Sequence, residues 1–189
     1  ELYPIQQECV DATIEYLKDY KLPGLIVAPT AFGKSIAIAE LIRQLGNPKT
    51  LVLQPSGELL NQNYSKYIEQ GGEASKYSAS VDTKEIGDVT YATPKSIKNI
   101  PEKFKHVELI LIDEAHKHVN SEGVIHDFIK TFGGEVPIVG LTASPAKLGV
   151  KNGTPQLDFL TQVENPFFHE VIFVAQVADM VKKGYLCKL

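Results

Sequence analysis

The sequence predicts an α/β fold: a parallel sheet with helices on both faces. Three features of the 189 residues carry that expectation. Short apolar runs alternate with longer segments of helical periodicity, the pattern of right-handed crossovers between parallel strands. One run, residues 25–28, opens into Ala28-Pro29-Thr30-Ala31-Phe32-Gly33-Lys34-Ser35. Another, residues 107–112, is apolar enough to be buried on both faces and ends in Asp113-Glu114-Ala115-His116.

The elements follow in order. Residues 4–20 place Ile5, Cys9, Ala12, Ile14, Tyr16 and Leu17 at roughly helical spacing before Pro23-Gly24 breaks the pattern. A strand over 25–28 then enters the Gly33-Lys34-Ser35 turn, and a helix over 35–45 leaves it, ended by Gly46-Asn47-Pro48. Residues 50–53 read as a second buried strand. Gln54-Pro55-Ser56-Gly57 turns from it into a helix over 58–70, which Gly71-Gly72 stops. Short strands are expected at 74–77 and 89–92, the second running into Thr93-Pro94 and a short helix. The strand before Asp113 comes next, then a helix over 121–132 and a strand over 137–141. Residues 146–165, with Gly149, Gly153 and Pro155, are the least periodic and are expected to form a surface excursion. A strand over 167–174 and a short helix over 177–183, closed by Gly184, complete the chain.

Composition narrows the function classes. A 43% hydrophobic chain of this length can bury one substantial core, alone or with a small appendage. The net charge of -4 argues against coating nucleic acid by bulk electrostatics, but leaves room for phosphates held by backbone amides and hydroxyls. Cys9 and Cys187 make neither a disulfide framework nor a zinc spacing, so a reducing, cytoplasmic setting is expected. No apolar stretch reaches bilayer length and no secretory leader is recognisable, so no membrane partner is expected. In that setting Asn63-Tyr64-Ser65 and Asn152-Gly153-Thr154 are chance matches to the glycosylation triplet. His116 and His118 have no ligand pattern with His106, His126 and His169, so no zinc site is expected; Lys117 and His118 read as solvated loop residues.

The loop at 28–35 has the strand-turn-helix context of a phosphate cradle. Successive N–H groups converge on phosphate oxygens, and the helix start adds partial positive charge. Pro29, Thr30, Ala31, Phe32, Gly33, Lys34 and Ser35 are the candidate nucleotide contacts, with Lys34 reaching the β and γ phosphates and Ser35 ligating Mg²⁺. One departure from the G-x-x-x-x-G-K-[ST] pattern is Ala28 in the place of its first Gly. Asp113, at the carboxyl end of a parallel strand, is placed to share that Mg²⁺. Glu114 is placed to polarise a water for attack on the γ-phosphate.

Leu2-Tyr3-Pro4-Ile5-Gln6-Gln7-Glu8, the phosphate loop, Leu53-Gln54-Pro55-Ser56-Gly57-Glu58-Leu59-Leu60, Tyr91-Ala92-Thr93-Pro94, Asp113-Glu114-Ala115-His116 and Leu141-Thr142-Ala143-Ser144-Pro145 occur in one order. That order resembles the first RecA-like domain, a P-loop nucleoside triphosphatase fold, of a superfamily 2 DEAD/DEAH-box helicase or translocase. Residues 141–149 and the ending Lys183-Gly184-Tyr185-Leu186 are similar to RadD-type ATPases.

The resemblance implies a role for each motif. Gln6 would recognise adenine through a bidentate amide, with Tyr3, where the family usually has Arg, stacking on the base. Pro55, Ser56, Gly57, Thr93 and Pro94 match segments that touch the sugar-phosphate backbone of DNA without reading bases, although loop and cap chemistry favours the same residue types. His116 joins Lys34 and Glu114 in the catalytic set, and with Thr142 and Ser144 would couple nucleotide state to the strand-binding surface. ATP and Mg²⁺ are the implied cofactors. Residues 1–175 would form the ATP-binding domain and 176–189 the start of a connection to a second RecA-like domain. The implied parent is an ATP-dependent DNA helicase or translocase in DNA repair or recombination; the translocating motor of a restriction endonuclease subunit and a non-cycling, nucleotide-gated clamp are the alternatives. This polypeptide alone is expected to bind nucleotide, hydrolyse it slowly and unwind no duplex.

Overall fold

The structure is a computed structural model describing residues 2–20, 22–117, 124–132, 134–151 and 154–184. The strands of its main sheet are β1 (Gly24–Val27), β2 (Thr50–Leu53), β3 (Ser75–Ser78), β4 (Thr83–Lys84), β5 (Val89–Ala92), β6 (Leu109–Ile112), β7 (Ile138–Thr142) and β10 (Glu170–Val174). They lie in the order β10-β1-β7-β6-β2-β5-β3-β4. Each pairing is parallel except β3 with β4, the short antiparallel edge. Because β1, β7, β6 and β2 are neighbours, their carboxyl ends bring residues 28, 142, 113 and 54 to one rim.

The helices are α1 (Pro4–Lys18), α2 (Lys34–Gln44), α3 (Gly57–Glu69), α4 (Pro94–Ile97), α5 (Val124–Lys130) and α6 (Val177–Lys182). Side chains alternate across each strand, so both faces of the sheet are apolar. Ile26, Val52, Leu109 and Leu111 face α1, α2 and α3, which contribute Ile5, Val10, Ile38, Ile42 and Leu60. Leu25, Leu51, Leu53, Ile110 and Ile112 face the other way, against Ile97, Phe104, Ile125, Phe128 and Phe168. Gly140 of β7 is small for a packing reason: a Cβ there would overlap the Phe168 ring. Met180 of α6 and Ala175 before it join the first core, so the end of the described chain docks on the domain.

The expected α/β layering is therefore present, and most element boundaries fall within two residues of expectation. Residues 146–165 depart from it. They contain β8 (Ala146–Lys151) and β9 (Thr154–Phe159), a separate antiparallel hairpin pairing Leu148 with Leu157 and Lys147 with Asp158. Gly and Pro within a sheltered strand would speak against it, but a free two-stranded ribbon tolerates both. Leu148 and Leu157 stay exposed, which is why the apolar pattern carries no burial signal. The β4 edge was likewise not expected, being too short for periodicity. The last strand of the main sheet starts at Glu170 rather than residue 167, because Phe168 turns into the core and His169 N–H is held by the Pro23 carbonyl at 2.9 Å. His118, residues 121–123 of the expected helix over 121–132, Tyr185 and Leu186 lie outside the described residues. Among the described residues, no helix is long and apolar enough to cross a membrane.

Candidate nucleotide and metal site

The phosphate loop hangs between two anchors. Ala28 N–H, at the end of β1, donates to the Thr142 carbonyl of β7 at 2.8 Å. Phe32, 1% exposed, buries its ring under the 3₁₀ turn Thr30–Phe32, while Thr30 and Ala31 stay outside and Pro29 is half-buried. Gly33 has φ 81°, the left-handed conformation in which L side chains are strained, and a Cβ there would come within 2.6 Å of Gln6 Nε2. Ala28 does not have positive φ, so the missing first glycine of the pattern costs nothing here. Lys34 and Ser35 then open α2, eleven residues long, whose first N–H groups face the loop.

Gln6 is buried and already engaged. Its Nε2 donates to the Phe32 carbonyl at 2.7 Å, and its Oε1 accepts from Tyr3 N–H at 2.9 Å. It thus braces the loop from α1, which the expectation of a base-reading amide did not include. One Nε2 hydrogen and one Oε1 lone pair remain for a base, and Tyr3 is 53% exposed beside it.

Lys34 and the acidic pair meet as their spacing implies. Lys34 is 7% exposed and its Nζ lies 3.2 Å from Glu114 Oε1. Nζ nevertheless has no hydrogen-bond partner among the described residues. A buried ammonium with unsatisfied donors is a costly arrangement unless an anion completes it. Glu114 adopts φ 47°, an uncommon left-handed conformation for a non-glycine residue, which swings its carboxylate back towards Lys34. Asp113 is 4% exposed; burial pushes its carboxyl above the ordinary value, with the Lys34 ammonium opposing that shift and Glu114 adding to it. A bound cation would relieve this cost.

Sequence reasoning missed the residue at the centre. Asn63, on the buried stripe of α3 with Leu60 and Tyr67, accepts from Ser35 Oγ at 2.7 Å. Its Nδ2 donates to Asp113 Oδ2 and to Gln54 Oε1, each at 3.0 Å. The available signal was a polar residue at the 60, 63, 67 spacing of an otherwise apolar helix face.

The expected coupling residues also converge. His116 Nδ1 lies 2.8 Å from Thr142 Oγ1 and 3.5 Å from Glu114 Oε2. Thr142 Oγ1 in turn accepts from Ser144 N–H at 2.9 Å. Burial holds the His116 imidazole below its ordinary value of 6.5, and Glu114 only partly offsets this. A lowered histidine value means the unfolded chain takes up the proton first. Stability is then complete above pH 6.5 and falls as pH drops towards the folded-state value. Thermal midpoints from about pH 8 to about pH 5 should therefore decline more steeply for the wild type than for His116→Gln. Equal slopes would remove His116 from that account.

The two segments expected at the nucleic-acid backbone touch through a turn not singled out beforehand. Ser56 caps α3 by accepting from Leu59 N–H at 3.3 Å, and a Cβ on Gly57 would overlap Ser80 Oγ. Ser78 Oγ bridges Ser80 Oγ and Thr93 Oγ1, each at 2.8 Å, and Thr93 Oγ1 reaches Ser96 Oγ at 2.9 Å. The Thr93 hydroxyl is thus spent inside the protein, and Pro94 is buried at the start of α4. Pro55 is half-buried. The Ser78-Ala79-Ser80 run at a strand end was the visible clue.

The lysine and the acidic pair thus meet from the ends of β1 and β6, across the end of β7 that lies between them. The family described as Type III restriction enzyme, res subunit (ResIII) matches residues 1–147. The chain belongs to the ResIII family. Solved structures with the same fold include a nuclease-deletion mutant of the Type ISP restriction-modification enzyme LlaGI in complex with a DNA substrate mimic. It is 19% identical with a TM-score of 0.71, and the match covers 98% of this chain and 21% of that one. The ATP-dependent Type ISP restriction-modification enzyme LlaBIII bound to DNA is also 19% identical, with a TM-score of 0.73 over 97% of this chain and 16% of that one. The UvsW helicase from Bacteriophage T4 is 21% identical, with a TM-score of 0.64 over 77% of this chain and 53% of that one. No curated protein matches the chain. Family and fold together make this ResIII member a helicase-type motor domain of superfamily 2. It spans about a fifth of the LlaGI chain.

Proposed function

We propose that this domain is the ATP-binding half of a motor that moves on DNA, with Mg²⁺ as its metal. The observation that carries the reading is the Lys34 ammonium, buried beyond the Gly33 turn with no hydrogen bond among the described residues and with the Glu114 carboxylate 3.2 Å away. Glu114 balances its charge here, and a phosphate cradled by the loop would supply the acceptors that its donors lack.

The residues present fit both groups. Loop N–H groups and the α2 start would hold the phosphates, Lys34 the terminal one, and Ser35 with Asp113 the cation. When bound, Mg²⁺ supplies charge neutralisation of the triphosphate. Glu114 orients the attacking water and accepts its proton; a carboxylate can do so only with Lys34 turned from it towards phosphate. His116 and Thr142 link Glu114 to the β7 end, which gives nucleotide state a path towards the outer surface. Ser56, Gly57 and the turn at 79–81 offer the backbone-binding face, with DNA as the proposed strand because LlaGI and LlaBIII are DNA-bound in their structures.

A restriction-type translocating motor is the form of this reading that the family match favours. A RadD-type setting in repair or recombination is the second form, supported by the motif order and the sequence at 141–149. The paired Asp113 and Glu114 speak against a non-cycling clamp. A second RecA-like domain would close over the nucleotide, and an arginine finger from such a domain is worth roughly 10³–10⁵ in rate. The domain alone should therefore bind ATP and turn it over slowly, without unwinding duplexes.

Equilibrium titration of the chain with a fluorescent ATP analogue, with Mg²⁺ and with chelator, tests the reading. Saturable binding strengthened by Mg²⁺ is expected. Absence of binding would overturn it.

A further inference from the structure

We propose that Asn63 is the positioning residue of the magnesium site: a single carboxamide that aims both protein ligands of the cation. The inference rests on the reading of the site given above and adds a residue to it. Neither Ser35 nor Asp113 is held by its own element alone. Ser35 sits at the start of α2 and Asp113 at the end of β6, and the group touching both side chains is Asn63, reaching in from α3.

The hydrogen-bond inventory fixes how it must face. A carboxamide has one acceptor oxygen and two N–H donors. An ionised Asp113 can only accept, so Nδ2 must point at Asp113 Oδ2, 3.0 Å away, with its second hydrogen on Gln54 Oε1, also at 3.0 Å. The amide oxygen then faces Ser35 Oγ at 2.7 Å, and the flipped amide would set two acceptors against each other. Ser35 has one hydroxyl hydrogen, and it is committed to Asn63. What Oγ presents elsewhere is lone pairs, which is what a hard cation requires. Asp113 Oδ1 is fixed separately by Glu114 N–H at 2.9 Å. Both carboxylate oxygens are thereby oriented while keeping acceptor capacity.

Burial makes the arrangement deliberate rather than incidental. Asn63 is 6% exposed, Gln54 0% and Asp113 4%. An amide on the apolar face of α3, between Leu60 and Tyr67, gives up packing that a leucine would provide. It also joins the metal corner to the helix whose first turn carries Gly57 and whose cap is Ser56, about two turns away.

The test uses this chain as wild type, Asn63→Leu and Asn63→Ala. Each is titrated with a fluorescent ATP analogue in chelator, and then with Mg²⁺ at fixed nucleotide to obtain the Mg²⁺ midpoint. Far-ultraviolet circular dichroism on the same samples checks the fold. Loss of an outer-shell partner typically weakens metal affinity by about 10–100-fold. The expected result is a rise of that size in the Mg²⁺ midpoint, with affinity in chelator within about twofold, because the loop and Lys34 are untouched. A merely structural role would weaken binding equally in both conditions. An unchanged midpoint in a folded variant overturns the assignment while leaving the proposed function standing. Equal weakening with and without Mg²⁺, or failure of both variants to fold, makes Asn63 a packing residue and overturns it as well. No nucleotide binding by the wild type overturns the proposed function, and this inference with it.

Discussion

Lys34→Ala is expected to weaken binding of Mg²⁺-ATP by about 10- to 100-fold, the worth of one charge-assisted hydrogen bond to a phosphate. The effect is large because the ammonium is 7% exposed, so its attraction for a phosphate is weakly screened by solvent. In the free protein the same lysine offsets the burial of Asp113. Lys34→Arg should fail to rescue, since a planar guanidinium needs room and several acceptors that the cleft beside Glu114 does not offer. Isothermal titration with and without Mg²⁺ measures this directly, and wild-type affinity in Lys34→Ala would remove the lysine from the phosphate site.

Glu114→Gln is expected to separate binding from turnover. The amide keeps the shape of the side chain and its left-handed backbone position, but it takes no proton from water and makes no ion pair with Lys34 at 3.2 Å. Hydrolysis should fall by about 10²–10⁴, the usual worth of a general base. Nucleotide affinity should hold or rise, because Lys34 is released to the phosphate. Phosphate release by the full-length protein carrying this domain, with DNA present, is the measurement. Unchanged turnover would exclude Glu114 as the base.

Both variants act on residues visible without coordinates, and the reason is local. Lys34 and Ser35 follow a glycine that must adopt positive φ, and the loop is bounded by a four-residue strand and an amphipathic helix. Asp113 and Glu114 follow four fully buried residues of β6. Strand, turn and helix each write their own periodicity into consecutive residues, so the element and its chemistry are read together. Gln6 was legible only in part: its place at the start of α1 was clear, but not that it braces Phe32 across 26 residues of sequence. The hairpin at 146–159 was illegible because its apolar residues face solvent and burial leaves no pattern there.

By itself the sequence determined the alternation of strands and helices, the strand-turn-helix context of the phosphate loop and the identity of the groups at two strand ends, since each depends on neighbours along the chain. Only the tertiary structure decided which strand ends adjoin, that Asn63 of α3 hydrogen-bonds to both Ser35 and Asp113, and that Ser78 and Ser80 join the segments at 55–57 and 93–94. Those contacts are between residues far apart in the chain, and a hydrogen bond across a sheet edge leaves no period in the sequence that makes it.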